Sequence, residues 1–249
     1  MKTIRLMLAP ALVLALIAIP AASFALQEDA RLTATDTEAV SDRPVFDALK
    51  ERALALIGKQ QDALGRLRSA IANSHAITNE HAAQLLGDIG AASAALDELA
   101  REIGAASTFA ELTELIRQID DFQIGHVLAP KTYQVIASDT LFAVGGKLER
   151  FSNKLERLIG RAEDLGFDVD EAWRMLDTMD DLVAEGVRLA DPVAESVIGL
   201  QPADWPEPAQ GVLGDGHSDL EAAQQSLRDA RRTGWDIIQF LRDLVGGDA

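Results

Sequence analysis

The sequence predicts an all-α fold, an antiparallel bundle of about five long helices with coiled-coil-like packing and no sheet. Apolar residues recur at steps of three and four along most of the chain, as in amphipathic helices. No segment alternates apolar and polar β-branched residues, as a strand would. The pattern is most regular between residues 141 and 165, where two interleaved seven-residue series form one apolar seam: Leu141, Leu148, Leu155 and Ala162, and Val144, Phe151, Leu158 and Leu165. At 1.5 Å per residue the seam is about 37 Å long, so other helices have to cover it.

Residues 1–25 have the features of a signal peptide. Lys2 and Arg5 precede an apolar run from residue 6 to residue 19, and Ser23-Phe24-Ala25 is the small-x-small pattern of a cleavage site. The alternative is an uncleaved membrane anchor, but the apolar run is shorter than the roughly 20 residues that a spanning helix needs. We expect cleavage after Ala25. The absence of cysteine excludes a lipid anchor attached to that residue type and means that no disulfide stabilises the fold.

The chain is strongly acidic. It has 40 acidic and 23 basic residues. Removal of Lys2 and Arg5 with the signal peptide leaves 21 basic residues and a net charge of −19. Nucleic acid and anionic lipid head groups both require a basic surface, so this charge argues against either as a partner. We expect a secreted or periplasmic protein with no membrane span after cleavage and with an unknown protein partner at the cell envelope.

The mature chain begins with a segment that we expect to be a flexible acidic arm. Residues 26–41 carry four acidic side chains and one arginine and have almost no large apolar residue. Residues 42–249 then form a single helical-bundle domain. The first helix is expected to begin near Asp42, an N-cap, with Pro44 in its first turn, and to end at Asn73-Ser74. Its core stripe is Ala53, Ile57, Gln60, Leu64, Leu67 and Ile71.

Cap residues mark the next two helices. Thr78 is the predicted N-cap of the second helix, which closes at Gly104 and Ser107. Thr108 with Glu111 has the spacing of a capping box and starts the third helix. The predicted core residues are Ala82, Leu85, Ile89, Ala92, Leu96, Leu99, Ile103 and Ala106, followed by Phe109, Leu112, Ile116 and Ile119.

A proline and a glycine delimit the helix that carries the seam. Pro130 has to end or kink the preceding helix, because its ring clashes with the preceding turn. The seam helix is expected to start at residues 131–132 and to stop at Gly166, a left-handed cap. Asp168 with Glu171 predicts the cap of the next helix, which runs to about residue 199. Its core series is Val169, Leu176, Val183, Ala190 and Val197.

Residues 200–217 form the predicted linker, because they contain three prolines and three glycines. The last helix begins either near Trp205 or only at Ser218, which would form a capping box with Glu221. Its predicted core residues are Leu220, Ala223, Leu227, Ala230, Gly234, Ile237, Leu241 and Leu244.

We predict no catalytic, cofactor or metal site. Without cysteine there is no thiolate ligand or thiol nucleophile, and no serine lies in a Gly-x-Ser-x-Gly elbow. The histidines lack the Glu-x-x-His spacing of di-metal bundles, so we interpret them as turn or helix-end residues: His75, His81, His126 and His217. Glu149, Glu156 and Glu163 recur every seven residues and are expected to be a solvated flank of the seam.

The turn Pro202-Ala203-Asp204-Trp205-Pro206 is the one candidate interaction site. A large aromatic residue in a proline-bounded turn either closes the end of a bundle or marks an exposed recognition site. In the second case Asp204, Trp205 and Pro206 would contact a partner.

Several short motifs resemble those of a loosely related set of uncharacterised secreted bacterial helical proteins. They are Thr108-Phe109-Ala110-Glu111-Leu112, Leu128-Ala129-Pro130-Lys131 followed by Ala137-Ser138-Asp139, the Pro202 to Pro206 turn, and Ala230-Arg231. The resemblance implies an exported helical protein. It implies no functional residue, because no activity is assigned to that set.

The leading hypothesis is an exported non-enzymatic bundle with a structural or protein-interaction role at the cell envelope. The alternative is a small-molecule or lipid carrier with a pocket between helices, lined by Trp173, Phe151 and the methionines at positions 175 and 179. An enzyme ranks last, because the sequence shows no nucleophile–base pair. The oligomeric state stays open, since a dimer would use the same seam.

Overall fold

The computed structural model describes residues 43–246, most of which are helical, with no strand among them. The predicted all-α fold is therefore confirmed, with five long helices and one of 12 residues. The predicted signal peptide, acidic arm and Asp42 cap lie outside the described residues. The helices are α1 (Arg43–Asn73), α2 (Asn79–Ala105), α3 (Phe109–Asp120), α4 (Ala129–Asp164), α5 (Asp170–Ile198) and α6 (Ala209–Gly246). A π-helical turn (Ile124–Leu128) precedes α4, and a 3-10 turn (Pro202–Asp204) follows α5.

Helices α4, α5 and α6 form a three-helix bundle in which each packs along the other two. The connection between α4 and α5 is short, so these helices are antiparallel. Helix α6 is parallel to α4, because Gln134 reaches Leu213 near one end and Phe151 lies beside Gly234 further along both helices. The first series of the seam is buried in this bundle, from Leu141 to Ala162. The second series is half-buried at Val144, Phe151 and Leu158 and exposed at Leu165.

Glycines allow the three helices to approach closely. A Cβ at Gly186 would lie 2.6 Å from Cγ of Leu227, and a Cβ at Gly234 would lie 2.5 Å from Cε1 of Phe151. A Cβ at Gly145 would collide with Val187 in the same way. Side chains therefore fill the space between the helices at these three levels, as in a close-packed protein interior.

Helices α1 and α2 form a hairpin that packs against α3 and reaches the bundle at the first turns of α4. Its core is the predicted one, since the large apolar residues of both stripes are buried. Lys50 closes the far end of the hairpin: its Nζ donates to the carbonyl oxygens of Gly104 at 3.0 Å and Ala106 at 2.8 Å. A cation at this point stabilises the C-terminus of α2, where the helix carbonyls lack partners.

Three predicted helix ends are confirmed. The Thr78 hydroxyl accepts a hydrogen bond from the N–H of His81, and Thr108 with Glu111 forms both bonds of a capping box. Gly166 has a φ of +88° and follows the end of α4. Only glycine adopts this conformation without strain, which is why the seam helix ends there.

The break before α4 is not at Pro130. Helix α3 already ends at Asp120, and Gln123 turns the chain in a left-handed conformation with a φ of 43°. Pro130 lies in the first turn of α4. A backbone N–H at this position would have no acceptor within the helix, so a proline costs no hydrogen bond there. The predicted start at residues 131–132 is therefore late, and α4 begins at Ala129.

The predicted Asp168–Glu171 capping pair is wrong. Helix α5 begins at Asp170, whose N–H donates to Oδ1 of Asp168 at 3.3 Å. The Glu171 carboxylate instead pairs with Arg174 at 2.6 Å, so only the first half of the pair contributes to the cap.

Of the two predicted starts of the last helix, the one near Trp205 is four residues early and the one at Ser218 is wrong, so the linker is shorter than expected. Helix α6 begins at Ala209, and Ser218 lies inside it with its Oγ donating to the carbonyl of Gly214 at 3.2 Å. The glycines weaken helix propensity, but Ala209, Leu213 and Gly216 form a buried face that continues the core stripe. This tertiary packing outweighs the cost of about 1 kcal/mol for each glycine.

Candidate functional site

A buried lysine lies where α2 meets the bundle. Lys131 is 0% exposed, and its Nζ donates to Oδ2 of Asp88 at 2.6 Å and to the carbonyl of Leu200 at 2.7 Å. A buried charge is tolerated only with such partners, because removal of an ammonium group from water costs several kcal/mol. Lys131 therefore connects α4 to α2 and to the segment after α5.

A second polar group lies two turns further along α4. Nδ1 of His81 is 2.9 Å from Oδ2 of Asp139, and its Nε2 is 3.3 Å from Oε1 of Glu195. Asp139 also accepts the backbone N–H of Thr78 at 2.9 Å. Burial lowers the pKa of His81, but the hydrogen bonds to Asp139 and Glu195 outweigh it, and the pKa is raised above its usual value. The imidazolium form, which donates from both nitrogens, is thus favoured.

Two further α4 side chains bind backbone carbonyls of the neighbouring helices. Nε2 of Gln134 donates to the carbonyl of Leu213 at 2.8 Å, and Oγ of Ser138 donates to the carbonyl of Ala190 at 2.8 Å. Gly216 leaves room for the Gln134 amide, because a Cβ on residue 216 would lie 2.6 Å from Oε1 of Gln134. The first three turns of α4 are thus a polar contact surface, whereas its later turns carry the apolar seam.

This polar cluster is suited to holding helices together rather than to catalysis. Both nitrogens of His81 are already bound to carboxylates, so neither is available to coordinate a metal or to act on a substrate. Ser138 donates its hydroxyl proton to a carbonyl and has no base beside it. Within residues 43–246, no three His, Asp or Glu side chains are placed to hold a metal ion.

The predicted interaction turn is packed against the π-helical turn. The ring of Trp205 stacks on His126 with 4.5 Å between ring centroids and 24° between ring planes. Oδ2 of Asp204 accepts the N–H of Gln201 at 2.7 Å, while Pro206 is exposed. Trp205 and Asp204 therefore have structural contacts, and one face of the indole is covered.

An open groove of about 650 Å³ lies between α2, α3 and Pro202. Leu99 and Phe122 form apolar parts of its wall, and Glu98, Glu102 and Asp121 line it with carboxylates. The groove differs from the predicted carrier pocket. Met179 is fully buried, and the other predicted lining residues pack against the core: Phe151, Trp173 and Met175.

The remaining predicted polar residues lie at the surface. His75 is exposed, and His217 lies in α6 with its Nε2 3.3 Å from Oε1 of Glu221. The seven-residue series at positions 149, 156 and 163 is exposed as expected, and Glu163 accepts a hydrogen bond from Nε1 of Trp173 at 3.3 Å.

Sequence reasoning missed the polar cluster. Lys131 and Asp88 are 43 positions apart, and His81 and Asp139 are 58 apart, so no local spacing indicates the pairs. His81 was expected to be a turn or helix-end residue, and it does lie in the first turn of α2. Its ring is nevertheless half-buried between α4 and α5.

No family model, curated protein or solved structure matches the chain. No helix among residues 43–246 is long and apolar enough to cross a membrane.

Proposed function

We propose that this is an exported, non-enzymatic helical-bundle protein with a structural or protein-interaction role at the cell envelope. The observation that carries the proposal is the exposure of large apolar side chains on long helices whose interior is filled. Leu165 is 63% exposed and Trp235 is 46% exposed. Trp235 lies on α6 and Leu165 directly follows α4, so both are accessible to a partner on the outer surface of the bundle. Export is the expectation from residues 1–25.

Capture from the native cell envelope tests this proposal. Tagged protein is cross-linked in its own host, purified and analysed by mass spectrometry. We expect one protein partner in fixed proportion to the bait. Capture of no protein at a defined ratio would contradict an interaction role, and a stoichiometric metal or organic cofactor in the purified protein would contradict a non-enzymatic one.

The Trp205→Ala variant tests the predicted turn in the same assay. If Asp204, Trp205 and Pro206 contact the partner, this variant captures less of it. His126→Ala is the matched control, because it removes the stacking ring and leaves the indole in place. Equal retention by wild type and Trp205→Ala would show that the turn is not the recognition site.

The second candidate function, a small-molecule or lipid carrier, is favoured by the groove between α2 and α3. Its volume of about 650 Å³ and its Leu99 and Phe122 wall are compatible with a partly apolar ligand. Native mass spectrometry of protein purified from its own host discriminates the two functions. A carrier retains a ligand of defined mass, and an interaction protein does not.

A further inference from the structure

We infer that one face of the bundle binds an acidic amphipathic helix of a partner protein. This inference rests on the proposed interaction role and assigns it a surface. The surface, here called the basic face, is the outer side of the contact between α4 and α6. It comprises a row on α4 between Val144 and Leu165 and a row on α6 between Arg228 and Val245.

The floor of the basic face is apolar and aromatic. It is the second series of the predicted seam, which is half-buried at Val144, Phe151 and Leu158 and 63% exposed at Leu165. On α6 the exposed ring of Trp235 lies 6.2 Å from the ring of Phe151 at an interplanar angle of 51°. Since α4 and α6 are parallel, the two rows lie side by side in one strip of the surface and meet at Phe151 and Trp235. Its α4 side, from Val144 to Leu165, is about 31 Å long at 1.5 Å per residue.

Basic side chains border this floor at helical spacing. On α4 the positions adjacent to the apolar row are Lys147, Lys154 and Arg161, which recur every seven residues and are all exposed. On α6 the exposed positions two turns before and two turns after Trp235 are Arg228 and Arg242. No acidic residue occupies the rows that form the face: Val144, Lys147, Phe151, Lys154, Leu158, Arg161 and Leu165 on α4, and Arg228, Arg231, Trp235, Ile238, Arg242 and Val245 on α6.

Five of these cations lack acidic partners within the described chain. Lys147, Lys154, Arg161, Arg228 and Arg242 form no ion pair with any of residues 43–246. The chain has 40 acidic residues against 23 basic ones, so carboxylates are plentiful elsewhere on its surface. A row of unpaired cations on one face of an acidic protein is complementary to an acidic partner.

The spacing favours a helix as that partner. Charges that recur every seven residues beside an apolar row are the arrangement by which coiled-coil helices select a partner of opposite charge. An apolar strip along two adjacent parallel helices can bind the apolar stripe of a third helix. A second copy docked through the same face is disfavoured, because it would place Lys147, Lys154 and Arg161 opposite other cations.

A designed peptide provides the direct test. The probe is a labelled 28-residue peptide of four heptads with leucine at the two core positions and glutamate at the two flanking positions. Full-length protein is titrated against it by fluorescence anisotropy in low and in moderate salt. We expect saturable binding that weakens as salt rises, with no binding to a scrambled peptide of the same composition.

Charge reversal locates the site. The triple variant Lys147→Glu, Lys154→Glu and Arg161→Glu should weaken peptide binding at least tenfold. The matched control is Lys59→Glu, Arg66→Glu and Arg68→Glu on exposed positions of α1, which changes the net charge equally and should alter affinity less than twofold. Circular dichroism checks that both variants remain helical. Equal losses in the two variants would overturn the inference, because binding would then follow net charge rather than the basic face.

Two further measurements test the other possible ligands of the basic face, an anionic membrane and a second copy of this chain. Sedimentation with vesicles of equal phosphatidylglycerol and phosphatidylcholine tests an anionic membrane: vesicle binding that the α4 triple variant loses, without peptide binding, overturns the inference. Light scattering tests self-association, and a wild-type dimer that the same variant dissociates also overturns it.

Envelope capture distinguishes failure of this inference from failure of the proposed function. If wild type and the α4 triple variant capture the same partner equally, the basic face is wrong and the interaction role stands. If wild type captures no partner, the interaction role itself fails.

Discussion

At the level of single residues, Lys131 makes the most demanding contact in the molecule. It is the only fully buried ion-pairing cation among residues 43–246, and it bonds to both Asp88 and the carbonyl of Leu200. Loss of one partner of a buried pair leaves the other partner desolvated, which costs more than the pair contributes.

Lys131→Met should therefore lower the free energy of unfolding by about 1–3 kcal/mol, because Asp88 is 23% exposed and regains water more easily than a fully buried carboxylate. Urea denaturation followed by circular dichroism measures this loss. Lys154→Met on the exposed side of the same helix is the control and should change stability by less than about 0.5 kcal/mol. Addition of Asp88→Asn to Lys131→Met should cost less than the sum of the single changes, since both variants remove the same interaction. Simple additivity would contradict the coupling of the two side chains.

His81 predicts a dependence of stability on pH. Its pKa in the folded protein is raised above 6.5, because the hydrogen bonds to Asp139 and Glu195 outweigh the effect of burial. A raised pKa in the folded state stabilises the fold fully below the unfolded pKa, and this contribution is lost as pH rises through the folded pKa. His81 thus stabilises the contact of α2 with the bundle in mildly acidic solution.

The difference in unfolding free energy between wild type and His81→Asn should be larger at about pH 5.5 than at about pH 8.5. Denaturation at both pH values measures it. His75→Asn, which replaces the exposed histidine in the preceding turn, should show no such change. A wild-type advantage over His81→Asn that is equal at both pH values would contradict protonation of His81 in the folded protein.

At the level of helices, two glycines test the packing and the corrected start of α6. Gly186→Ala should destabilise the protein by about 1–3 kcal/mol, because its Cβ would lie 2.6 Å from Cγ of Leu227 and 3.2 Å from the carbonyl of Ala223. Gly214→Ala should stabilise it by about 0.5–1 kcal/mol, because no atom lies within 4 Å of its Cβ and the residue is inside a helix. Thermal unfolding measures both changes. Destabilisation by Gly214→Ala would contradict a helix at this position.

The sequence predicts elements best where apolar spacing and capping agree. The buried residues of α5 follow the seven-residue series that begins at Val169, and the Thr108–Glu111 box lies where its spacing indicates. Both signals are local, because side chains three or four positions apart share a helix face whatever the rest of the fold does.

The start of α6 and the polar cluster could not be predicted in this way. Three glycines between residues 211 and 216 indicate a loop when propensity alone is considered. Gly216 is nevertheless buried against α4 and α5, where a Cβ would lie 2.6 Å from Oε1 of Gln134 and 3.1 Å from Cγ1 of Val193. Likewise, Lys131 has no local feature that distinguishes it from a solvated helix lysine. Lys131 forms its hydrogen bonds only in the tertiary fold, where Asp88 of α2 and the carbonyl of Leu200 after α5 lie beside it.

At the level of the whole molecule, the described helices differ in how extensively they pack on one another. Helices α4, α5 and α6 pack along one another over most of their lengths, whereas α1 and α2 pack mainly on each other and on α3. The hairpin contacts the bundle less extensively, through apolar residues of the shared core and through polar contacts from His81 to Asp139 and from Asp88 to Lys131. A unit with few contacts to the rest of a fold can open without unfolding that rest.

Native-state hydrogen exchange should therefore show that amides of α1 and α2 open at a lower free energy than those of α4, α5 and α6. Lys131→Met should lower the opening free energy of the hairpin and leave that of α5 and α6 nearly unchanged, because it removes the contact between α2 and the bundle but no contact between α5 and α6. The α4 triple variant of the basic face is the control and should leave hairpin exchange unaltered. If every helix instead exchanges at one common opening free energy, the hairpin and the bundle are a single cooperative unit. Partner binding at the basic face would then have to raise the opening free energies of the hairpin and of the bundle equally.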